Sequence, residues 1–325
     1  MKSIQTKKKI RLKNPVLVAA WPGMGDVALK AAAYLKDKLK ATEFATMSPN
    51  DYFHPTGVWV EGGLIETPQP SVGHFYFYRH PSSGQDLVLF ISDAQPFVEK
   101  GHAYAQEIID FAKTLRVKEV YTFAAMPLPM EHTQPSEVHV VVTKKELLAP
   151  LEALGVKTMA TGQISGLNGL ILGVAKSSGL DGACLLGEIP LYTVQIENPL
   201  ASLAVLDILT RYLKIELDLA DLRRHAEEMN REIEHLIDYL KNPPEAETDE
   251  QPIDQKEIDI IKKTLADAAG LPDSAKHRID ELFRLAKKDL ARALELKKEL
   301  DKWSVYDKYE DSFLDLFKKR PKKNN

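Results

Sequence analysis

The 325-residue chain has a single cysteine, Cys184, set inside an apolar run. One thiol can form neither an internal disulfide framework nor a cysteine metal cluster, and this fits a reducing compartment. No apolar run approaches the ~18 residues needed to cross a bilayer. The basic start, Lys7, Lys8, Lys9, Arg11 and Lys13, is not followed by the apolar segment of a secretory signal. A cytoplasmic location without a membrane partner is therefore expected. An excess of positive charge is also missing: 43 basic against 47 acidic side chains leave a net charge of -4, which argues against a nucleic-acid partner. His54, His74, His80, His102, His132 and His139 show no H-E-x-x-H or other paired metal spacing, and no G-x-S-x-G elbow occurs. No metal and no cofactor is expected. What is present is 44% apolar content, enough for one large or two medium domains with real cores.

Charge density divides the chain near residue 215. Residues 215–325 carry 49 charged side chains in 111 positions, whereas residues 1–214 carry 41 in 214. The expected organisation is an α/β domain over 1–214 and a helical extension over 215–325. In the first part, apolar runs at 16–20, 58–60, 74–78, 87–91, 119–124, 138–142, 157–161 and 183–186 read as strands. Helices are expected over 27–39, 101–115 and 145–154. The alternating runs around Gly62-Gly63 suggest an antiparallel hairpin, so the sheet should be mixed though largely parallel.

In the extension, Leu219, Leu222, Ala226, Met229, Ile233, Leu236 and Leu240 recur at steps of three and four. This spacing predicts a heptad helix over 216–241. Such a seam identifies burial without identifying the partner, so it serves equally for packing within the chain or between subunits. Asn242-Pro243-Pro244 stops the helix, and 242–252 reads as an exposed linker. The D-x-x-E pair Asp254 and Glu257 opens a helix to about 269, and Pro272-Asp273 opens another through 303. The tail, 304–325, holds Tyr306, Tyr309, Phe313, Leu316 and Phe317 before Lys318-Lys319-Arg320, the pattern of a short amphipathic segment that docks in a groove or on the helical body, or stays solvated.

The candidate site begins at Trp21-Pro22-Gly23-Met24-Gly25, a glycine turn between a buried-type strand and a helix. Gly23-Met24-Gly25-Asp26-Val27-Ala28 formally fits the dinucleotide spacing G-x-G-x-x-G/A, with Glu43 as the nearest acidic residue at the required distance. The plainer reading is a tight turn with close helix packing. A second turn, Ser92-Asp93-Ala94-Gln95-Pro96, follows another strand. A third segment, Gly162 to Gly173, places Gly166, Asn168, Gly169 and Gly173 at the start of a helix. Interior glycine costs about 0.5–1 kcal/mol relative to alanine, so those positions imply a smooth face against a close neighbour. Finally, Gly187-Glu188-Ile189-Pro190 ends a strand and delivers a carboxylate to the same edge.

These four motifs, in this order over residues 10–214, resemble the proteasome assembly chaperone family. The resemblance implies an α/β three-layer sandwich akin to the phosphorylase/hydrolase-like fold, without established catalysis. It further implies a homo-oligomer, such as a trimer, that escorts or scaffolds another protein. The matching rim positions are Trp21, Pro22, Gly23, Gly25, Asp93, Gln95, Pro96, Gly166, Asn168, Gly169, Gly187, Glu188 and Pro190. Candidate interface residues in the seam are Leu222, Met229, Ile233, Leu236 and Leu240. Archaeal members that engage the proteasome use a C-terminal hydrophobic-tyrosine-any motif, and the terminal Arg320-Pro321-Lys322-Lys323-Asn324-Asn325 departs from it. The alternative function is a small-molecule-binding or phosphorylase-like enzyme in which Asp93 and Glu188 supply acid or base chemistry at the rim.

Overall fold

A computed structural model of the chain describes residues 3–49, 52–53, 58–66, 71–82, 84–241, 254–303 and 305–317. The strands are β1 (Ile4–Thr6), β2 (Val16–Ala20), β3 (Thr42–Met47), β4 (Trp59–Glu61), β5 (Leu64–Glu66), β6 (Gly73–Tyr78), β7 (Leu87–Ile91), β8 (Glu119–Leu128), β9 (Val138–Val142), β10 (Lys157–Thr158) and β11 (Asp181–Pro190). The helices are α1 (Val27–Lys38), α2 (Gly101–Thr114), α3 (Leu148–Glu152), α4 (Leu167–Ser177), α5 (Pro199–Leu213), α6 (Ala220–Lys241), α7 (Gln255–Ala269), α8 (Asp273–Ala286), α9 (Ala293–Lys302) and α10 (Tyr306–Leu314).

Nine strands form one mixed sheet in the order β1-β3-β6-β7-β2-β8-β11-β9-β10. The central β7, β2, β8 and β11 run parallel, and antiparallel pairs flank them. Helices cover both faces, and each central strand therefore buries both sets of side chains. In β2, Val16, Val18 and Ala20 join one core with α1 and α5, while Leu17, Ala19 and the following Trp21 join the other with α2 and α4. This is why that segment reads as an uninterrupted apolar run rather than an alternating one. The parallel strands end on one edge, where their turns form a rim.

Three strands differ from the sequence reading, and one of them, β10, keeps only Lys157–Thr158 of the expected 157–161. β1 is absent from the expected set, and β3 carries Glu43, which lacked an evident register. β3 is polar at its start and bulged between Glu43 and Ala45. Glu43 sits at the amino end of its strand, opposite the rim, where Lys7 pairs with it and holds its carboxyl below the usual range; His74 Nδ1 lies 3.4 Å away. The dinucleotide reading therefore loses its acidic residue. The Gly62-Gly63 hairpin does form, with both glycines at positive φ (57° and 83°), as a two-residue primed turn requires. It stands as a separate two-stranded sheet, β4–β5.

The extension follows its capping signals. Glu257 N–H donates to Asp254 Oδ1 at 2.8 Å, and Asp254 N–H donates to Glu257 Oε2 at 3.0 Å, closing a reciprocal box at the start of α7. The expected helix over 273–303 is instead two, α8 and α9, with a short 3-10 turn at Leu290–Arg292 between them. Asp289 is extended there, and its side chain accepts from Ala291 N–H at 3.0 Å, restarting the chain without glycine or proline. The two helices fold against each other around Ile279, Leu282, Leu296, Leu300 and Trp303. α10 packs back through Phe313, Tyr306 and Tyr309, while 318–325 lies outside the described residues. The expected linker, 242–252, lies outside them too.

Candidate functional site

The rim is assembled by side-chain amides that tie distant turns together. Asn168, in the first turn of α4, accepts from Trp21 N–H through Oδ1 at 3.1 Å and donates from Nδ2 to Trp21 O at 3.1 Å. Its own carbonyl accepts from Thr122 Oγ1 at 2.7 Å. Gln95 makes a second tie, donating from Nε2 to Pro22 O at 2.7 Å and accepting from Leu167 N–H at 3.0 Å. The turns after β2 and β7 and the start of α4 are thus fixed to one another. The amide groups of both side chains act as replacements for a ladder that loops cannot form.

The glycines make these ties sterically feasible for different reasons. Gly166 has φ +72°, and a Cβ there would lie 3.2 Å from the Gln95 amide nitrogen. A Cβ on Gly169 would lie 2.2 Å from Ile164 O, so the preceding turn could not fold over the helix. Gly25, at φ +60°, donates to Val194 O at 2.9 Å and accepts from Asn198 N–H at 2.8 Å, so its peptide groups serve the α5 entry rather than facing an anion. A Cβ on Gly173 would meet nothing. The smooth face expected across α4 is therefore two close contacts and one open position.

Between these turns lies a groove of about 710 Å³. Met24, Val98, Met126, Met159, Ile164 and Leu170 dominate its lining, with Pro22, Gly23, Gln95, Pro96, Gly166, Asn168 and Gly169 among the expected rim positions. No charged side chain lines it among the described residues. Its mouth is apolar and open: Val98 is 95% exposed, Met24 40% and Leu170 37%.

The other expected rim residues lie elsewhere. Trp21 is fully buried against Phe90 (ring centroids 5.3 Å apart), and Asp93 is exposed outside the groove. Gly187 is packed beneath α5, where a Cβ would lie 2.9 Å from Ala201 Cβ, and Pro190 is buried at the strand end. Glu188 shares its level with Met126 on the neighbouring strand. Its carboxylate is 2.8 Å from His139 Nε2, both side chains are largely covered, and neither lines the groove. That partnership was not legible in the sequence, because β9 and β11 are brought together only by the sheet.

The seam of α6 divides in two. Leu222 and Ala226 are buried, with Leu222 joining the α5 core; Met229 and Ile233 are half-buried; Leu236 is 59% exposed. The side chain of Leu240 lies outside the described residues. The helix begins at Ala220 rather than 216, where Asp218 Oδ1 accepts from Ala220 N–H at 2.9 Å. The extension also builds part of the rim: Pro272 lines the groove, and Leu128 and Leu191 pack on the extension's core. Lys262 of α7 pairs with Glu131 at 2.6 Å and lies over the Tyr192 ring. His132 is buried beside them, its Nδ1 3.0 Å from Tyr192 Oη. Burial, and then Lys262, hold it below the ordinary histidine range.

The model of the PAC2 family matches residues 17–237. An uncharacterised protein of Methanocaldococcus jannaschii is 28% identical over 227 residues, 69% of this chain and 84% of its own length. Among solved structures, PbaB of Pyrococcus furiosus, an archaeal proteasome activator, has a TM-score of 0.63 at 24% identity, over 73% of this chain and 99% of its own. PbaA of the same organism, an archaeal homologue of proteasome-assembly chaperone, has a TM-score of 0.57 at 22% identity, over 73% of this chain and 92% of its own.

Proposed function

The chain belongs to the PAC2 family, and on that premise we propose that it is a non-catalytic assembly chaperone or scaffold that binds protein through its rim. Its copies associate, its α/β part (1–214) supplies the common binding surface, and its helical extension (215–325) adapts that surface to a particular protein partner. A proteasome subunit or assembly intermediate is the partner class that the similar structures suggest.

One observation carries this reading. The polar motif residues Asn168 and Gln95 bond with both amide groups to protein backbone, which leaves an uncharged, open, apolar groove as the accessible surface. Exposed apolar surface of this kind marks protein contact more than polar catalysis. The enzyme alternative has less support. Its carboxylates are separated, with Asp93 exposed and Glu188 against His139, and neither lines the groove.

The test is binding of purified full-length chain to proteasome subunits of its own source, followed by light scattering. Retention of a stoichiometric complex that Val98→Glu abolishes is the expected result. Failure to bind those subunits, together with saturable small-ligand binding lost in Asp93→Ala, favours the alternative.

A further inference from the structure

At the edge opposite the rim, where the parallel strands begin, the segment 7–13 carries five basic side chains and no acidic one. It is tied down at both ends. Lys7 N–H and Lys8 N–H donate to Phe44 O of β3 at 2.8 and 3.3 Å, and Lys13 N–H donates to Asp86 Oδ2, just before β7, at 2.6 Å. Between these ties the segment passes β6, and Ile10 and Leu12 pack on the core shared with α2 and α4. Lys9, Arg11 and Lys13 therefore alternate outward, and all three are exposed. Alternate residues of an extended chain stand about 6.5 Å apart.

Three helices add cations to this edge at positions that favour glycine. At the end of α1, Ala41 N–H donates to Lys36 O at 2.9 Å and Lys40 N–H to Asp37 O at 3.0 Å. At the end of α2, Val117 N–H donates to Ala112 O at 3.1 Å and Arg116 N–H to Lys113 O at 2.9 Å. α5 closes in the same way through Ile215 and Lys214, and α4 through Leu180 and Gly179. This is the Schellman closure, in which the first residue past the cap is left-handed and usually glycine. α4 keeps to that rule with Gly179 at φ +78°, but Lys40, Arg116 and Lys214 take φ +49°, +66° and +55°. A side chain costs stability there. The helix dipole does not require these cations, since Lys36 and Lys38 already stand in the last turn of α1 and Lys113 in that of α2.

Among the described residues, Lys8, Lys9, Arg11, Lys13, Lys40 and Arg116 form no ion pair. The carboxylates beside the segment are engaged: Lys7 holds Glu43, and buried Asp86 accepts from Lys13 N–H and, at 2.9 Å, from His80 N–H. Among the described residues no aromatic side chain at this edge is exposed, so bases would find no stacking platform. A row of alternating cations instead matches an extended peptide with acidic residues at every second position.

We propose that this edge is a second binding surface, on which Lys9, Arg11 and Lys13, flanked by Lys40 and Arg116, hold an extended acidic segment of a partner protein.

The experiment follows the anisotropy of a fluorescein-labelled peptide of alternating Glu and Ala as full-length protein is added. The wild type should bind it at low ionic strength, release it as salt screens the contact, and ignore a Gln-Ala peptide of equal length. Lys9→Glu combined with Arg11→Glu, at exposed positions, should weaken binding about tenfold with unchanged circular dichroism. Lys40→Gly combined with Arg116→Gly should raise the thermal midpoint, because glycine relieves both left-handed positions, yet weaken binding about threefold. Val98→Glu, in the groove at the other end of the strands, should bind the peptide as the wild type does, so failure here leaves the rim reading standing. A wild type that does not bind overturns the proposal, as do charge variants that bind as the wild type does. Oligothymidylate of equal charge that binds as tightly as the peptide also overturns it, and assigns the edge to nucleic acid.

Discussion

Asn168 and Trp21 are 147 residues apart, and the Asn168 amide closes a two-bond ring with the backbone of Trp21, donating and accepting at 3.1 Å in each direction. Both residues are buried. This single contact fixes the helix that walls the groove to the strand that begins it, and it accounts for the asparagine without assigning it chemistry.

Asn168→Ala leaves a buried N–H and a buried C=O without their partner, at about 1–3 kcal/mol each. We expect a loss of about 2–4 kcal/mol in urea unfolding. Asp93→Ala, at an exposed position of the same rim, should stay within about 0.5 kcal/mol of the wild type.

Two glycines of α4 should respond oppositely to one methyl group. Gly169→Ala meets Ile164 O at 2.2 Å and should destabilise by several kcal/mol or fail to fold. Gly173→Ala enters open space on a helix and should stabilise by about 0.5–1 kcal/mol. Thermal melts of the two variants beside the wild type distinguish these roles.

The extension's attachment should weaken in acid. His132 is held below its ordinary value of 6.5, first by burial and then by Lys262, while Glu131 and Glu234 oppose the shift. The unfolded chain therefore takes up the proton before the folded one does. The associated stability is present above about pH 6.5 and is lost as the pH falls below it. Guanidinium unfolding across that window should show a steeper acid loss in the wild type than in His132→Gln. Equal slopes would contradict the assignment.

Cys184 is buried on the face of β11 that packs in the core with α2 and α4, and burial pushes its thiol up to about 12. A thiol reagent should find no reactive cysteine in the native protein and one after denaturation. Reaction at native pH would show that β11 opens.

The central strands were legible because β2, β7 and β11 bury both faces and so form continuous apolar runs. The turns at Gly25 and Gly166 were legible because both take a positive φ that favours glycine, and Gly169 because a Cβ there would meet Ile164 O at 2.2 Å. β3 was not, since its polar start and its bulge at Glu43 erase the alternation. The break at Asp289 was not, since a side-chain cap replaced the usual glycine or proline. The roles of Gln95 and Asn168 were hidden for a different reason. Their partners lie 72–73 and 147 residues away and meet only in the folded sheet. Likewise, the seam of α6 showed where apolar side chains fall, yet only the position of α5 decides that Leu222 is covered and Leu236 is not.

Residues that hold the rim together are distinct from residues that use it, and the binding of proteasome subunits by Val98→Glu tests that separation most directly. At unchanged thermal stability, the variant should lose the stoichiometric complex that the full-length wild type forms with proteasome subunits. If Val98→Glu binds those subunits as the wild type does, the groove is not the surface through which this protein holds its partner.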